Sequence, residues 1–390
     1  MTFNFRSGMA EATRLTKAGK LTEATALIQR LLNGGEAPEP ARDGPPAIDA
    51  EYVTLDAEAP PKAARPTARP RRGLGETLRG LAARPPGFDN RTARRPRPAP
   101  DPLPEGASFT QSAFANGAGT RAYKLYVPAN RAGEPLPLVV MLHGCTQSPD
   151  DFAAGTRMNA LAEVHSCLVA YPEQPSSANA QKCWNWFSPD DQRRDRGEPS
   201  LIAGITRQIM RDHPVDPARV YVAGLSAGGA AAAIMASTYP DHYAAVGVHS
   251  GLPSGAAGDL PSAFAAMRQG ATGNGRGTRA VPTIVFHGDQ DATVHPRNGD
   301  AIAAQSLAFA TGPQSTVQHG RASGGHAYSR IVHTDPAGRP LCEQWTIHGA
   351  GHAWAGGSPS GSYTDPRGPD ATREMLRFFF EHRLDAVGPE

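Results

Sequence analysis

Short apolar runs separated by longer amphipathic stretches dominate the chain from Ala107 onward. The segments SFTQSAF and TRAYKLYVP flank ANGAG, a pattern that predicts an antiparallel hairpin. Later runs have the length and apolar character of strands buried on both faces, and they are LVVML, CLVAY, RVYVAG, AAVGVHS, PTIVFHG and LCEQWTIHG. The helical segments between and after them include residues 150–165, SLIAGITRQIM, residues 298–309 and PDATREMLRFFFEHR. This alternation predicts an α/β fold, with a mostly parallel sheet and helices on both faces.

The N-terminal quarter of the chain lacks this rhythm. Apolar residues recur at helical spacing between positions 6 and 33, which predicts a short helical segment over residues 1–35. Residues 36–105 hold 15 of the 37 prolines and a concentration of arginines, so we predict a disordered Pro/Arg-rich linker there. Its ARRPRPAP run could contact an acidic partner, although a solvated linker is the simpler interpretation. The globular domain is expected at residues 106–385.

Composition excludes several classes of protein. The formal net charge of +2 indicates neither nucleic acid nor an anionic membrane as a partner. No apolar run reaches about 18 residues, so no transmembrane segment is predicted. The N-terminal stretch lacks the apolar core of a signal peptide, which makes a cytoplasmic location the default expectation. The four cysteines fit no zinc pattern, and Cys167 and Cys342 lie in apolar runs typical of buried thiols.

The sequence GLSAGG follows RVYVA directly and precedes an alanine-rich helical stretch. Ser226 would project from a sharp strand-to-helix turn, and glycines on both sides relieve the steric conflict of such a turn. This setting predicts a nucleophile, with the backbone N–H of Ala227 at the helix N-terminus as an oxyanion donor. The alternative is a serine in a tight packing turn that carries no chemistry.

A serine nucleophile requires a histidine base and a carboxylate that orients the base. His352 lies in the glycine-rich loop GAGHAWAGG after an apolar strand, whereas His348 ends that strand and is expected to be structural. For the carboxylate we favour Asp291 over Asp289, because Asp289 can cap its own turn. Metal binding by the two histidines is disfavoured, since the glycines between them argue against a helix that presents both.

A second oxyanion donor is expected from the loop after an early strand. The sequence LVVML-HGCTQ provides this loop, and its His-Gly pair lets the backbone turn toward the nucleophile. The backbone N–H of Cys145 is the predicted donor, and the side chain of His143 is expected to pack beneath the turn.

With these residues in place, residues 107–383 resemble the PHB depolymerase family esterases. The resemblance rests on MLHGCTQ, KCWNWF, GLSAGGA, HGDQDATVHP and GAGHAWAGG, in that order. It implies an α/β-hydrolase fold, with Ser226, Asp291 and His352 as the catalytic triad. The Cys145 and Ala227 amides would form the oxyanion hole.

The resemblance also implies further structural and binding roles. Cys145 and Cys183 would form a disulfide between two loops near the site. The side chains of Trp184, Trp186 and Trp354 would line an apolar substrate groove, unless they belong to the core. No metal, nucleotide or other cofactor is implied.

The expected function is that of a serine carboxylesterase acting on short-chain hydroxyalkanoate esters or poly(3-hydroxybutyrate)-type polyester and oligomers. A feruloyl or acetylxylan esterase is the alternative within the same chemistry. A non-catalytic protein that binds a polymer granule or a partner through the N-terminal helices is the alternative of another class. We see no added substrate-binding domain or signal peptide, which favours soluble esters or an intracellular polyester. Many similar proteins are secreted, so an extracellular location is the alternative to the cytoplasm.

Overall fold

The computed structural model describes residues 101–130, 133–271 and 279–384. The predicted N-terminal helical segment lies outside these residues. So does the predicted linker, apart from its last five positions. No helix in the described ranges combines the length and apolar character needed to cross a membrane.

A mixed sheet of ten strands organises the described residues, in the order β1-β2-β4-β3-β5-β6-β7-β10-β9-β8. Its six central strands, β4 to β10 in this order, run parallel, and antiparallel strands flank them on both sides. The strands are Ser108–Asn116 (β1), Gly119–Val127 (β2), Leu136–Leu142 (β3), Leu168–Pro172 (β4), Val215–Leu225 (β5), Ala245–His249 (β6), Thr283–Gly288 (β7), Gln314–Arg321 (β8), Ala327–Thr334 (β9) and Pro340–Ile347 (β10). Two short strands, Trp354–Ala355 (β11) and Thr364–Asp365 (β12), pair separately.

Helices cover both faces of the sheet, as the sequence pattern predicted. They are Pro149–Thr156 (α1), Met158–His165 (α2), Gly197–Asp212 (α3), Ala227–Thr238 (α4), Leu260–Gln269 (α5), Arg297–Ser306 (α6) and Ala371–Phe380 (α7). Successive side chains of a strand point to opposite faces, so β3 contributes Leu138 and Val140 to one core and Val139 to the other. The first core includes side chains of α3, α4 and α6, and the second includes side chains of α1, α2 and α7.

The predicted helix over residues 150–165 is two helices, because the chain breaks at Arg157 (φ 54°). In a continuous helix the carbonyl of Gly155 would accept a hydrogen bond from the N–H four residues later. Here Ser358 N–H donates to that carbonyl instead (2.7 Å). The backbone at Gly361 also lies directly against Gly155, where an added Cβ on Gly361 would be 2.4 Å from the Gly155 Cα. A contact distant in sequence therefore ends the first helix.

Four strands, β8, β9, β11 and β12, and one helix, α5, have no counterpart in the sequence prediction. Strand β8 lies at the edge of the sheet with nearly all of its residues exposed, so no buried face imposes an alternating pattern. In α5 the buried positions are two alanines, while Leu260 and Phe264 are exposed. Neither segment therefore buries the large apolar residues from which the other strands and helices are predicted.

Candidate active site

Ser226 occupies the one-residue junction between β5 and α4, with φ 58° and ψ −118°. A residue with a side chain rarely adopts this positive φ, so the surrounding structure must hold it. The N–H of Ser226 donates to the carbonyl of His249 (2.9 Å), and its carbonyl accepts from Ala230 N–H (2.9 Å). These backbone bonds hold the strained turn at the carboxyl end of the parallel strands.

Glycines on both sides of Ser226 permit very close backbone contacts. A Cβ on Gly224 would lie 2.2 Å from the Gly228 carbonyl oxygen. A Cβ on Gly228 would lie 2.0 Å from the carbonyl oxygen of Leu142, the last residue of β3. The first turn of α4 therefore packs directly on the end of β3. It lies next to residues 143–148, hereafter the Cys145 loop.

Two backbone amides near the serine are free to bind an anion. The described residues supply no hydrogen-bond acceptor for the N–H of Cys145 or of Ala227. An added Cβ on Gly144 would lie 3.6 Å from the Ser226 Cβ, so the Cys145 loop runs directly beside the serine. This is the placement that the sequence analysis expected for the two donors, and their catalytic role stays a prediction.

The side chain of Gln147, which the sequence analysis did not single out, stabilises the same loop. It is buried, and its Oε1 accepts the N–H of Gly144 (2.8 Å). Its Nε2 donates to Asp151 Oδ2 (3.0 Å) and to the carbonyl of Ser362 (3.1 Å). A glutamine three residues after a His-Gly pair at a strand end is the signal that could have indicated this role.

Of the two candidate carboxylates, Asp291 is the one that contacts His352. Asp291 Oδ2 lies 2.7 Å from His352 Nδ1, and Oδ1 accepts the N–H groups of Thr293 and Val294 (2.9 Å each). Burial alone would raise the pKa of Asp291, but hydrogen bonds from His287 and His352 outweigh it and hold that pKa well below its ordinary value. Asp291 is therefore an ionised, fully bonded acceptor for the His352 ring.

Within the described part of the chain, neither Ser226 Oγ nor His352 Nε2 has a protein hydrogen-bond partner. In unliganded enzymes the bond between nucleophile and base is often long and shortens when substrate binds. His249 connects the turn at Ser226 to the segment after His352. Its carbonyl accepts Ser226 N–H, and its Nε2 accepts Ala355 N–H (3.0 Å). The serine turn and the segment just after His352 are thus held to one buried residue.

Two buried histidines surround this site and were not predicted. His287 Nε2 lies 3.4 Å from Asp291 Oδ2 and 2.8 Å from the carbonyl of Val294. The His249 ring stacks against Phe286 and Trp354, and burial lowers its pKa to about 3. The His249 ring is therefore neutral, and both histidines form hydrogen bonds within the core. Their positions at the ends of β6 and β7 were the available signal.

Asp289 and His348, the residues not favoured by the sequence analysis, form a separate pair. His348 Nδ1 lies 3.0 Å from Asp289 Oδ2, and His348 Nε2 lies 2.8 Å from Ser329 Oγ. The His348 side chain is 43% exposed, whereas that of His352 is 11% exposed. Asp289 also accepts the N–H of Gly349, so its carboxylate stabilises the turn after β10, while the cap on its own turn stays a prediction.

The disulfide Cys145–Cys183 is present and joins the Cys145 loop to residues 174–187, hereafter the Cys183 loop. Two hydrogen bonds reinforce this junction. Thr146 N–H donates to the carbonyl of Gln181 (2.7 Å), and Trp184 Nε1 donates to the carbonyl of His143 (3.1 Å). The His143 ring is buried beneath the turn.

The predicted substrate groove of three tryptophans requires a correction. Trp184 and Trp354 are fully buried, and their Nε1 groups donate to His143 O and to Thr372 Oγ1, respectively. Both are core residues, because side chains with no exposed surface cannot contact a substrate. Trp186 is 6% exposed, and its contribution to a groove stays a prediction.

Comparison with known proteins places these features in a family. The family model described as Esterase PHB depolymerase matches residues 121–324, slightly more than half of the chain. The chain belongs to the PHB depolymerase esterase family. The match includes Cys145, Ser226 and Asp291, while His352 lies after its last residue.

Individual relatives of this esterase family member fall into two groups. Poly(3-hydroxyalkanoate) depolymerase C of Paucimonas lemoignei is 35% identical over 254 residues, which cover 62% of this chain and 60% of that relative. Acetylxylan esterase A of Emericella nidulans is 30% identical over 218 residues, which cover 51% of this chain and 70% of the relative. The chain therefore matches less than two thirds of the depolymerase.

A solved structure, an acetyl xylan esterase from Aspergillus awamori, is similar with a TM-score of 0.55. The similarity covers 70% of this chain and 99% of that chain at 20% sequence identity. At that identity the similarity shows the fold, and the predicted α/β-hydrolase fold is confirmed.

The close backbone contact at Gly228 leads to a stability prediction. Gly228→Ala should lower the free energy of unfolding by about 1–3 kcal/mol, because the added methyl group would overlap the carbonyl of Leu142. Urea unfolding followed by circular dichroism measures the change. Gly258→Ala is the matched control, since nothing lies within 4 Å of its added Cβ. Equal stability of the two variants would contradict the close contact.

Proposed function

We propose that this protein is a serine carboxylesterase that works through an acyl-enzyme. The observation that carries the proposal is the 2.7 Å contact between His352 Nδ1 and the ionised, buried Asp291. The strained turn at Ser226 and the two unpartnered amides beside it supply the other parts that ester hydrolysis needs.

In the proposed mechanism Ser226 Oγ attacks the carbonyl carbon of an ester while His352 Nε2 takes the hydroxyl proton. Asp291 holds the proton on His352 Nδ1, which leaves Nε2 as the acceptor and stabilises the imidazolium that forms. The amides of Cys145 and Ala227 bind the carbonyl oxygen as it becomes negative. The carbon–oxygen bond of the ester then breaks, and His352 returns the proton to the departing alkoxide.

The second half of the reaction repeats these steps with water. His352 Nε2 removes a proton from a water molecule as the water oxygen attacks the acyl carbon. The bond to Ser226 Oγ breaks, His352 protonates the serine, and the carboxylic acid leaves. The arrangement needs no group beyond the residues named, because the base, its orienting carboxylate and the anion site all come from the chain.

For the substrate we favour short-chain hydroxyalkanoate esters or oligomers of the poly(3-hydroxybutyrate) type. The depolymerase of Paucimonas lemoignei supports this choice with higher identity over more of the chain. An acetylated polysaccharide is the second candidate, supported by the acetylxylan esterase of Emericella nidulans. Attachment to a granule or partner through residues 1–35 stays a prediction about a segment outside the described residues.

Replacing the proposed nucleophile gives the primary test. Ser226→Ala should reduce kcat for p-nitrophenyl butyrate at least about 10⁴-fold, because no other group supplies the attacking oxygen. Initial rates measure the loss, and circular dichroism checks that the fold persists. Ser329→Ala is the matched control, since Ser329 Oγ contacts His348 in the exposed pair and should leave kcat near the wild-type value. A Ser226→Ala variant that retained most activity would exclude the proposal.

The two neighbouring aspartates allow a matched test of the orienting carboxylate. Asp291→Asn should lower kcat about 10⁴-fold, because an amide NH2 facing Nδ1 favours the tautomer in which Nε2 cannot accept a proton. Asp289→Asn should have little effect, as Asp289 contacts His348 instead. Similar losses in both variants, measured on the same ester, would mean that Asp291 has no special role.

A substrate panel separates the candidate activities. We expect the highest kcat/KM on soluble 3-hydroxybutyrate oligomers and lower values on acetylated xylan and feruloyl sugars. Release of acid is followed by titration at constant pH for every substrate. Preference for acetylated xylan would assign the protein to the second candidate, and absence of turnover on all esters would favour a non-catalytic binding protein.

A further inference from the structure

A buried carboxylate that the proposed mechanism does not use lies behind the Cys183 loop. Glu198, the second residue of α3, is 5% exposed. Its Oε2 accepts the backbone N–H of Asn185 (2.7 Å), and its Oε1 accepts the Nδ2 of Asn185 (2.8 Å) and the Nε2 of Gln174 (2.5 Å). Every neutral partner is a donor, so Glu198 holds the Cys183 loop at two separate points.

The Cys183 loop in turn holds the backbone on both sides of Cys145. Gln174 N–H donates to Nε2 of His143 (3.1 Å), a residue that lies two positions before Cys145. The Gln181 carbonyl accepts from Thr146 N–H, one residue after it, and Cys183 is bonded to Cys145 itself. The backbone around the Cys145 amide is therefore held on one side by the Cys183 loop, whose buried anchor is Glu198, and on the other by Gln147.

The hydrogen bonds along this path are consistent with one arrangement of protons. Burial lowers the pKa of His143 to about 4, so its ring is neutral. Its Nδ1–H donates to the Gly144 carbonyl (2.8 Å), which leaves Nε2 to accept from Gln174 N–H. Gln174 Nε2 donates to the Cys183 carbonyl (2.9 Å) as well as to Glu198. The path thus connects Glu198 to the Cys145 loop without a break.

We propose that Glu198 is a positioning residue for the oxyanion site, whose ionised carboxylate holds the Cys183 loop and thereby aims the Cys145 amide at the reacting carbonyl. This inference rests on the proposed esterase function. It gives the KCWNWF segment a structural role beyond the packing of Trp184, because Asn185 of this segment donates two hydrogen bonds to Glu198.

The charge of Glu198 is what makes this contact set work. The charged groups that face it are Arg121 of β2, 3.6 Å away, and Asp191, whose Oδ1 accepts Glu198 N–H (2.8 Å). Burial, reinforced by the Asp191 charge, raises the pKa of Glu198 to about 7 against the opposing effects of Asn185, Gln174 and Arg121. Farther along the path, the charges of Lys182 and Asp151 shift the pKa of His143 in opposite directions, downward and upward respectively.

Protonation of Glu198 would disturb the loop directly. A protonated oxygen becomes a donor that faces the N–H groups of Asn185 or Gln174, and one hydrogen bond is lost. Gln174 Oε1 is buried and has no partner among the described residues. Rotation of that amide would offer Oε1 to the new O–H, but it would remove the bond from Nε2 to the Cys183 carbonyl. Either rearrangement loosens the loop that holds Cys145.

The test compares the pH dependence of wild type and Glu198→Gln on p-nitrophenyl butyrate. Protonation of His352 should abolish activity and protonation of Glu198 should lower it, so the acid limb of log(kcat/KM) in the wild type should have a slope above one over the pH interval in which Glu198 titrates, whereas the slope in the variant should stay at about one. At about pH 8.5 the kcat of the variant should be about 10- to 100-fold lower than that of the wild type, because a displaced Cys145 amide is a weaker oxyanion donor. The KM should be nearly unchanged. Measurements stay within the pH range where near-ultraviolet circular dichroism is constant.

Glu163→Gln is the matched control. Glu163 is a partly buried carboxylate that accepts from Tyr126 OH and Ala129 N–H, outside the Cys145 and Cys183 loops, so its variant should keep the wild-type kcat and slope. A wild-type slope that nowhere exceeds one, an unchanged kcat in Glu198→Gln, or an effect on KM alone would overturn the inference. If Glu198→Gln does not fold, Asn185→Ala should reproduce the kcat loss, and the wild-type slope still decides. Ser226→Ala, measured in parallel, separates failure of this inference from failure of the proposed esterase function. If Ser226→Ala is inactive while Glu198→Gln has wild-type activity, only the inference about Glu198 is refuted.

Discussion

The site depends on how closely the first turn of α4 packs on the end of β3. Without side chains at Gly224 and Gly228 the two backbones approach to distances that any Cβ would block. That approach forces Ser226 into a positive φ and leaves its hydroxyl at the carboxyl edge of the sheet. It also places the amide of Cys145, in the loop after β3, and that of Ala227, the first residue of α4, beside Ser226. The strained turn and the placement of these two amides are consequences of one contact.

The loop after β7 supplies two aspartates and the loop after β10 supplies two histidines, which form two separate pairs. Asp289 with His348 and Asp291 with His352 have similar contact distances, so distance alone does not distinguish them. Burial does. Asp291 is excluded from solvent and receives two backbone N–H groups, which keeps its charge available to the His352 ring, whereas the other pair is open to water.

The Cys145 loop is held mostly by groups distant in sequence. Gln147 connects it to Ser362, and the Cys183 loop connects it to Glu198 of α3. An oxyanion donor is effective only if it is already in place when charge develops, because reorganisation at that moment would cost free energy. The disulfide and the buried hydrogen bonds restrict the backbone of this loop, as the proposed role of the Cys145 amide requires.

The sequence by itself determined the central strands, most of the helices between them and the order of Ser226, Asp291 and His352, because buried strands and tight turns restrict residue type locally. It favoured Asp291 over Asp289 on position alone. Only the tertiary structure decided that Trp184 and Trp354 are core residues, that the helix breaks at Arg157 and that an edge hairpin, β8–β9, extends the sheet. Each of these depends on contacts between distant segments. For the same reason, the sequence did not indicate that Glu198 and Gln147 hold these loops. A polar residue acquires a role of this kind only through the hydrogen-bond partners that the fold brings to it.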